Sequence, residues 1–271
     1  MNFFFFAILS ASAYFVSAGS VDVTMELAKT LLSMFFLTAA ANTFSGFSRN
    51  KVYNIIKKIY RKSGGESRNS LLISTILLAA GFAVSYGISV YTASLYALAA
   101  LLLWVNIQYL RNVRFVRSII TSAAASVAVI LGSDVAGLSY TAYFMALLLF
   151  FSNAAGDMVK SITEEMKDRT SFLISLLKHF SSYIRFDADR TRKAAAASLA
   201  IFIILSPVPY LLGLVSISYL ALITISSLVA FVALFNIVKN GKNAVRLAKT
   251  DELIKINMLT AIIAFLAGVL V

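Results

Sequence analysis

Asp157, Lys160, Glu164 and Asp168 recur at i, i+3, i+7 and i+11, a spacing that sets them along one stripe of an α-helix. Arg169 follows at once, and seven charged side chains crowd the thirteen positions 157–169, directly after an apolar run. Carboxylates and cations on one face can hold ions or charged phosphate groups. Other chemistries are poorly supplied. The chain has no cysteine, which excludes disulfides and thiolate metal sites. Its one histidine, His179, leaves no set of imidazoles for zinc or haem. No nucleophile elbow, phosphate loop or dinucleotide fingerprint is present.

The elements that must position this stripe are membrane helices. Of 271 residues, 60% are hydrophobic and 13% charged, and the mean hydropathy is +0.86. Soluble domains carry about 25% charged residues. A span needs about 20 mostly apolar residues to cross about 30 Å of hydrocarbon. Nine segments qualify as expected spans: 3–19, 26–46, 70–88, 91–110, 118–133, 138–156, 194–214, 217–237 and 254–271. All should be helical, because lipid offers no partner to an unpaired backbone group. The expected fold class is therefore all-α and polytopic, with residues 1–271 forming a single transmembrane domain.

The formal charge of +12 could point to nucleic acid, but the distribution points to a membrane surface. The alternate loops 47–69, 111–117, 157–193 and 239–255 hold 23 of the 24 Lys and Arg residues. Such a bias places these loops in the cytoplasm, the N-terminus inside and the C-terminus outside. Localisation in the cytoplasmic membrane follows, with membrane lipids as partners and no nucleic acid. The two longest of these loops, 47–69 and 157–193, should begin as helical continuations of their spans. "KVYNIIKKIYRK" (51–62) gathers Val52, Ile55, Ile56 and Ile59 on one face among basic residues, the pattern of an interfacial helix. The Ala11-Ser12-Ala13 triplet resembles a signal-peptidase site, yet no basic residue precedes the apolar run, so an uncleaved first span is expected.

This layout resembles the UbiA superfamily of intramembrane prenyltransferases. The archaeal members that prenylate geranylgeranylglyceryl phosphate resemble it best. "AAANTFSGFSRNKVY" (39–53) stands where the family has its first aspartate-rich motif, and "AAGDMVKSITEEMKDR" (154–169) where it has its second. "VNIQYLRNV" (105–113), with Tyr109 and Arg111, is similar to the family's Tyr-x-x-x-Lys/Arg stretch after the fourth span. "ILSPVPYLLGLVSISYLALI" (204–223) is similar to the seventh and eighth family spans. The resemblance implies nine helices around a central cavity open to the cytoplasm. It also implies Mg²⁺ held by both motifs, a polyprenyl diphosphate donor, and transfer of its prenyl group to a lipid or aromatic acceptor.

The motifs depart from the family pattern. In the first, Asn42 remains, but the Asn-Asp pair becomes Ser45-Gly46, the next Asp becomes Arg49 and the last becomes Tyr53. In the second, the leading Glu corresponds to Asp157, the Lys is Lys160, one Asp becomes Ser161, the central Asp is Glu164, and Asp168-Arg169 survives. Asp157, Glu164 and Asp168 are thus the metal candidates. Asn42, Arg49, Tyr109, Arg111, Lys160 and Arg169 are the candidates for a diphosphate or lipid phosphate. Arg49 would repel a metal but can bind phosphate through two parallel hydrogen bonds. One Mg²⁺ with one or two carboxylates and phosphate oxygens fits the remaining acids; the family's two-sided arrangement does not. The expectation is a relative with lost or altered catalysis. An active transferase with a rebuilt site, and an isoprenoid-lipid-binding or scaffold protein, stay open. Asn106 and Gln108 can line a cavity or bond a neighbouring helix. A transporter is disfavoured, because no span carries paired charges or a central Gly or Pro break.

Overall fold

The computed structural model describes residues 3–58, 66–108, 114–169, 188–240 and 243–270. Within them every regular element is a helix: α1 (Phe3–Ala18), α2 (Met25–Lys58), α3 (Glu66–Tyr86), α4 (Val90–Gln108), α5 (Arg114–Ala136), α6 (Tyr140–Arg169), α7 (Ala188–Leu205), the single turn α8 (Val208–Leu211), α9 (Ile217–Asn240) and α10 (Ala244–Leu270). Among the described residues, seven stretches are long and apolar enough to cross a membrane. Two shorter apolar helices, Phe5–Ala18 and Leu71–Tyr86, stand where the first and third expected spans fall.

Helix starts follow local chemistry. The Ser89 hydroxyl accepts from the Thr92 amide at 2.9 Å to cap α4, and Ser139 does the same for Ala142 at 3.2 Å in α6. Asn243 accepts from the amides of Val245 and Arg246 at 3.1 and 3.2 Å to open α10. Gly137, between α5 and α6, takes φ +91°, a backbone state that side chains disfavour. Four helices differ in extent from the bare spans. The helix of the second span runs on to Lys58 and that of the sixth to Arg169, as helical continuations of their spans. The seventh span is interrupted after Leu205, where Pro207 lacks the amide needed to continue the ladder. The last helix begins at Ala244, ten residues before the expected span.

The chain forms two compact units. Unit 1 comprises residues 1–111 and 127–142. Its α2, α3 and α4 pack against one another, and α1 lies on α2. One end is tied by hydroxyls. Ser17 lies 2.6 Å from Ser133 and 2.9 Å from Ser139, Tyr14 donates to Thr24 at 2.9 Å, and Thr92 donates to Asp134 at 2.6 Å. At Gly132 a Cβ would collide with the Ser10 main-chain carbonyl, so glycine lets α1 and α5 touch backbone to backbone.

Unit 2 comprises residues 112–126 and 143–271. Here α10 packs along α9, and α9 along α7. Tyr219 donates to the Ser206 carbonyl at 2.6 Å, joining α9 to the end of α7. The Tyr219 ring packs on Phe265, and both are fully buried.

Candidate functional site

The acidic stripe lies in unit 2, on the last three turns of α6. Met158, Val159, Ile162 and Thr163 are buried, whereas Lys160 and Glu164 are exposed and Asp157 is half-buried. The helix therefore has two faces, and the expected stripe is its polar one. Asp168 and Arg169 continue this helix by backbone; their side chains lie outside the described residues.

Polar bonds between helices fix how α6 is turned. Asn153, one turn before Asp157, donates to Ser122 of α5 at 3.0 Å. Asn257 of α10 donates to Ser152 at 2.9 Å, and Ser226 of α9 lies 2.6 Å from the Asn257 side-chain carbonyl, to which it donates. Ser152, Ser226 and Asn257 are all fully buried. In hydrocarbon such a chain has no water to exchange with, so it sets the rotation of α6 against α9 and α10.

Antiparallel packing brings the start of α5, the end of α6 and the start of α10 together. Arg117 and Lys160 act on the Asp157 carboxylate as attracting charges, and Asp251 and Glu164 as repelling ones. Asp251 approaches α6 beside Gly156. A Cβ there would lie 3.9 Å from the Asp251 carboxylate and 3.3 Å from Ile254. Asp251 also holds Lys255 at 2.5 Å. Asp189 pairs with Arg192 and, at 3.3 Å, with Lys193 at the start of α7. These pairs are partly exposed and contribute little stability.

Asp251 and Arg117 are the residues that sequence reasoning left out of the site. Residues 239–255 read as a basic loop, yet from Ala244 onward they are helix. Leu247, Thr250, Ile254, Asn257 and Ala261 are buried at alternating spacings of three and four, a periodicity that was available as a signal.

The helical rise limits what the stripe can chelate. Asp157 and Glu164 are seven residues apart, about 10 Å along the axis at 1.5 Å per residue. Mg²⁺ binds oxygens at about 2.1 Å, so those two carboxylates cannot share one ion. Glu164 and Asp168 are one turn apart, and theirs is the stripe's tightest carboxylate spacing. Among the described residues no three acidic or imidazole groups gather closely enough to hold a metal.

Of the remaining candidates, Asn42 is exposed on α2 in unit 1. Arg49 continues that helix by backbone, with its side chain outside the described residues. Tyr109 and Arg111 lie outside the described residues altogether, as does His179, while Gln108 is described by backbone only. Asn106 is buried in α4.

A bundle of apolar helices with a polar stripe at the end of α6 defines a class, and comparison with known proteins sharpens it. No family model matches the chain. The digeranylgeranylglyceryl phosphate synthase of Methanosarcina mazei is 22% identical over 250 residues, covering 90% of this chain and 83% of that protein. A solved structure from work on digeranylgeranylglyceryl phosphate synthase in membranes superposes with a TM-score of 0.80 at 20% identity, covering 98% of this chain and 93% of that one. A UbiA homologue from Aeropyrum pernix K1 superposes with a TM-score of 0.68 at 12% identity, over 99% and 98% of the two chains. The chain thus has the UbiA fold, and the resemblance read from its sequence is borne out.

Proposed function

We propose that this chain is a UbiA-type membrane protein that holds a polyprenyl diphosphate, or an isoprenoid lipid phosphate, while the prenyl transfer typical of the fold is lost or altered. In this reading nine helices surround one cavity open to the cytoplasm, within a single domain, with the N-terminus inside and the C-terminus outside. The observation that carries the reading is the polar face of α6, where Asp157, Lys160 and Glu164 stand opposite buried Met158, Val159 and Ile162. Its counterpart is the first motif, where Arg49 and Tyr53 stand in place of acids.

The roles follow from charge. Lys160, Arg169, Arg111 and Arg49 bind phosphate oxygens, Arg49 through its planar guanidinium. Asn42 and Tyr109 supply neutral hydrogen bonds. Mg²⁺, when bound, would neutralise phosphate charge, with Glu164 and Asp168 as its protein oxygens. Asp157 then serves the cations instead, holding Arg117 and Lys160 in place. The relative's name, a synthase of digeranylgeranylglyceryl phosphate, supports an isoprenoid glyceryl phosphate as the class of lipid recognised.

A second reading, an active prenyltransferase with a rebuilt site, is favoured by Asp251, which restores a carboxylate next to α6. Binding of geranylgeranyl diphosphate to purified protein separates the two. Metal-dependent binding lost in Glu164→Gln and Asp168→Asn supports the rebuilt site. Metal-independent binding lost in Arg49→Ala supports a lipid-phosphate receptor. Absence of binding under every condition refutes both and leaves a scaffold role.

A further inference from the structure

Asn153 stands four residues before Asp157, so it belongs to the same stripe of α6, one turn further into the apolar run. It is half-exposed, although it lies within the span Tyr140–Glu164. One end of its amide is spent, because the nitrogen donates to the Ser122 hydroxyl at 3.0 Å. That hydroxyl has a single proton and gives it to the Ser118 carbonyl at 2.8 Å. Ser122 can therefore only accept from Asn153. This fixes the amide with its nitrogen toward α5 and its carbonyl oxygen turned away. The oxygen accepts no hydrogen bond from any described residue.

Asn257 is the contrast. It is fully buried and spends both ends, donating to Ser152 and accepting from Ser226. Asn153 spends one end and holds the other open. Hydrocarbon has no donor to offer it, so an acceptor held open inside a span marks a place for a ligand group that donates. An ammonium is disfavoured, because Arg117 and Lys160 already bring two positive charges to Asp157, one turn away. A neutral hydroxyl remains. Spacing ties it to a phosphate. Side chains on a helix lean toward its N-terminus, and the Lys160 charge acts on Asp157. The Cα of Asp157 lies about 6 Å along the axis from that of Asn153. A phosphate on Lys160 and a hydroxyl on Asn153 are then close enough to belong to one ligand.

We propose that Asn153 is a specificity residue whose carbonyl accepts a hydrogen bond from a free hydroxyl beside the phosphate of the bound lipid. The inference rests on the phosphate reading of the α6 stripe and adds a second polar group to the ligand. Calorimetric titration of the full chain in micelles would compare hexadecylglyceryl phosphate, a single-chain ether lipid with a free hydroxyl, with its deoxy analogue. The hydroxyl lipid should bind about fivefold tighter, the worth of one neutral hydrogen bond. Asn153→Leu should remove the difference by weakening the hydroxyl lipid alone. Glycerol phosphate, which has both polar groups and no chain, should compete only at roughly hundredfold higher concentration. Equal affinity for the two lipids in the unaltered protein would overturn the proposal, and that comparison needs no variant. So would a preference that survives Asn153→Leu, or a loss in that variant that falls equally on both lipids, the mark of a structural role. Competition by glycerol phosphate at equal concentration would overturn the assignment to a lipid. Geranylgeranyl diphosphate judges the phosphate reading separately. If it binds while neither lipid is preferred, the hydroxyl inference alone falls; if none of the three binds, both fall.

Discussion

Replacing Asn257 by Leu tests whether buried polar bonds set the position of α6. The exchange keeps the branched shape and heavy-atom count of Asn, with a modest gain in volume, and deletes the bond to Ser152 at 2.9 Å and that from Ser226 at 2.6 Å. Ser226 keeps a partner, because its hydroxyl also lies 3.0 Å from the Asn257 main-chain carbonyl. Ser152 can turn to a carbonyl of its own helix, as serines in membrane helices do. The net loss is therefore little more than one interhelical bond. Such bonds average about 0.6 kcal/mol in a bilayer and reach about 1.7. We expect about 1 kcal/mol for Asn257→Leu. Asn257→Ala should cost about 1 kcal/mol more, from a void of roughly 45 Å³ at about 24 cal/mol per Å³. Reversible unfolding in mixed micelles measures both, and a cycle with Ser226→Ala isolates the coupling. A loss above about 3 kcal/mol for the Leu variant would refute the claim that both serines find other partners. No loss, with zero coupling, would refute the claim that the network orients the helix.

Tyr96 is buried, its hydroxyl has no hydrogen-bond partner among the described residues, and it presses on Gly81 of α3. Tyr96→Phe should raise stability by about 1 kcal/mol, because the desolvated hydroxyl gains nothing in return. Gly81→Ala should destabilise, and Tyr96→Phe should rescue it only in part, since the ring carbon bearing the hydroxyl would still lie 2.6 Å from the new Cβ. Thermal melts in detergent check both. Asp251→Asn should tighten metal-free binding of geranylgeranyl diphosphate severalfold if α6 is a phosphate-binding surface, because a repelling charge is removed. If the site is rebuilt around Mg²⁺, the same change should weaken metal-dependent binding instead. An isotherm with and without Mg²⁺ reads the sign.

The helices were legible because lipid leaves a chain few choices. Apolar runs of the required length become helices wherever they fall, and alternation of basic loops tells which ends belong together. In unit 2 the structure agrees. Arg117 of α5 and Lys160 of α6 both act on Asp157, although they come from different elements. The polar stripe was legible for a similar reason, since positions three and four apart share a helical face whatever packs nearby. The first turns of α10 were not. Hydropathy detects what meets lipid, and residues 244–253 carry Arg246, Lys249, Asp251 and Glu252, so the segment reads as a loop.

The place of Asp251 was hidden for a deeper reason. It lies 94 positions beyond Asp157 in the chain, and no local rule links the two. What links them is close helix contact, which in a membrane depends on small residues rather than on apolar ones. Gly156 supplies it. With no side chain there, Ile254 and Asp251 settle against α6 immediately beside the stripe. A larger residue at position 156 would press on Ile254 first and move the start of α10 away, taking Asp251 with it. Gly156 stands within the motif segment but outside its acidic pattern, so a reading tuned to carboxylates passes over it. The charge balance around Asp157, two cations against two further carboxylates, thus includes an acid from another helix that packs beside this glycine. The number of acids in a degenerate motif therefore cannot decide whether the site is lost or rebuilt, because an acid from another helix can enter wherever a glycine leaves room for it.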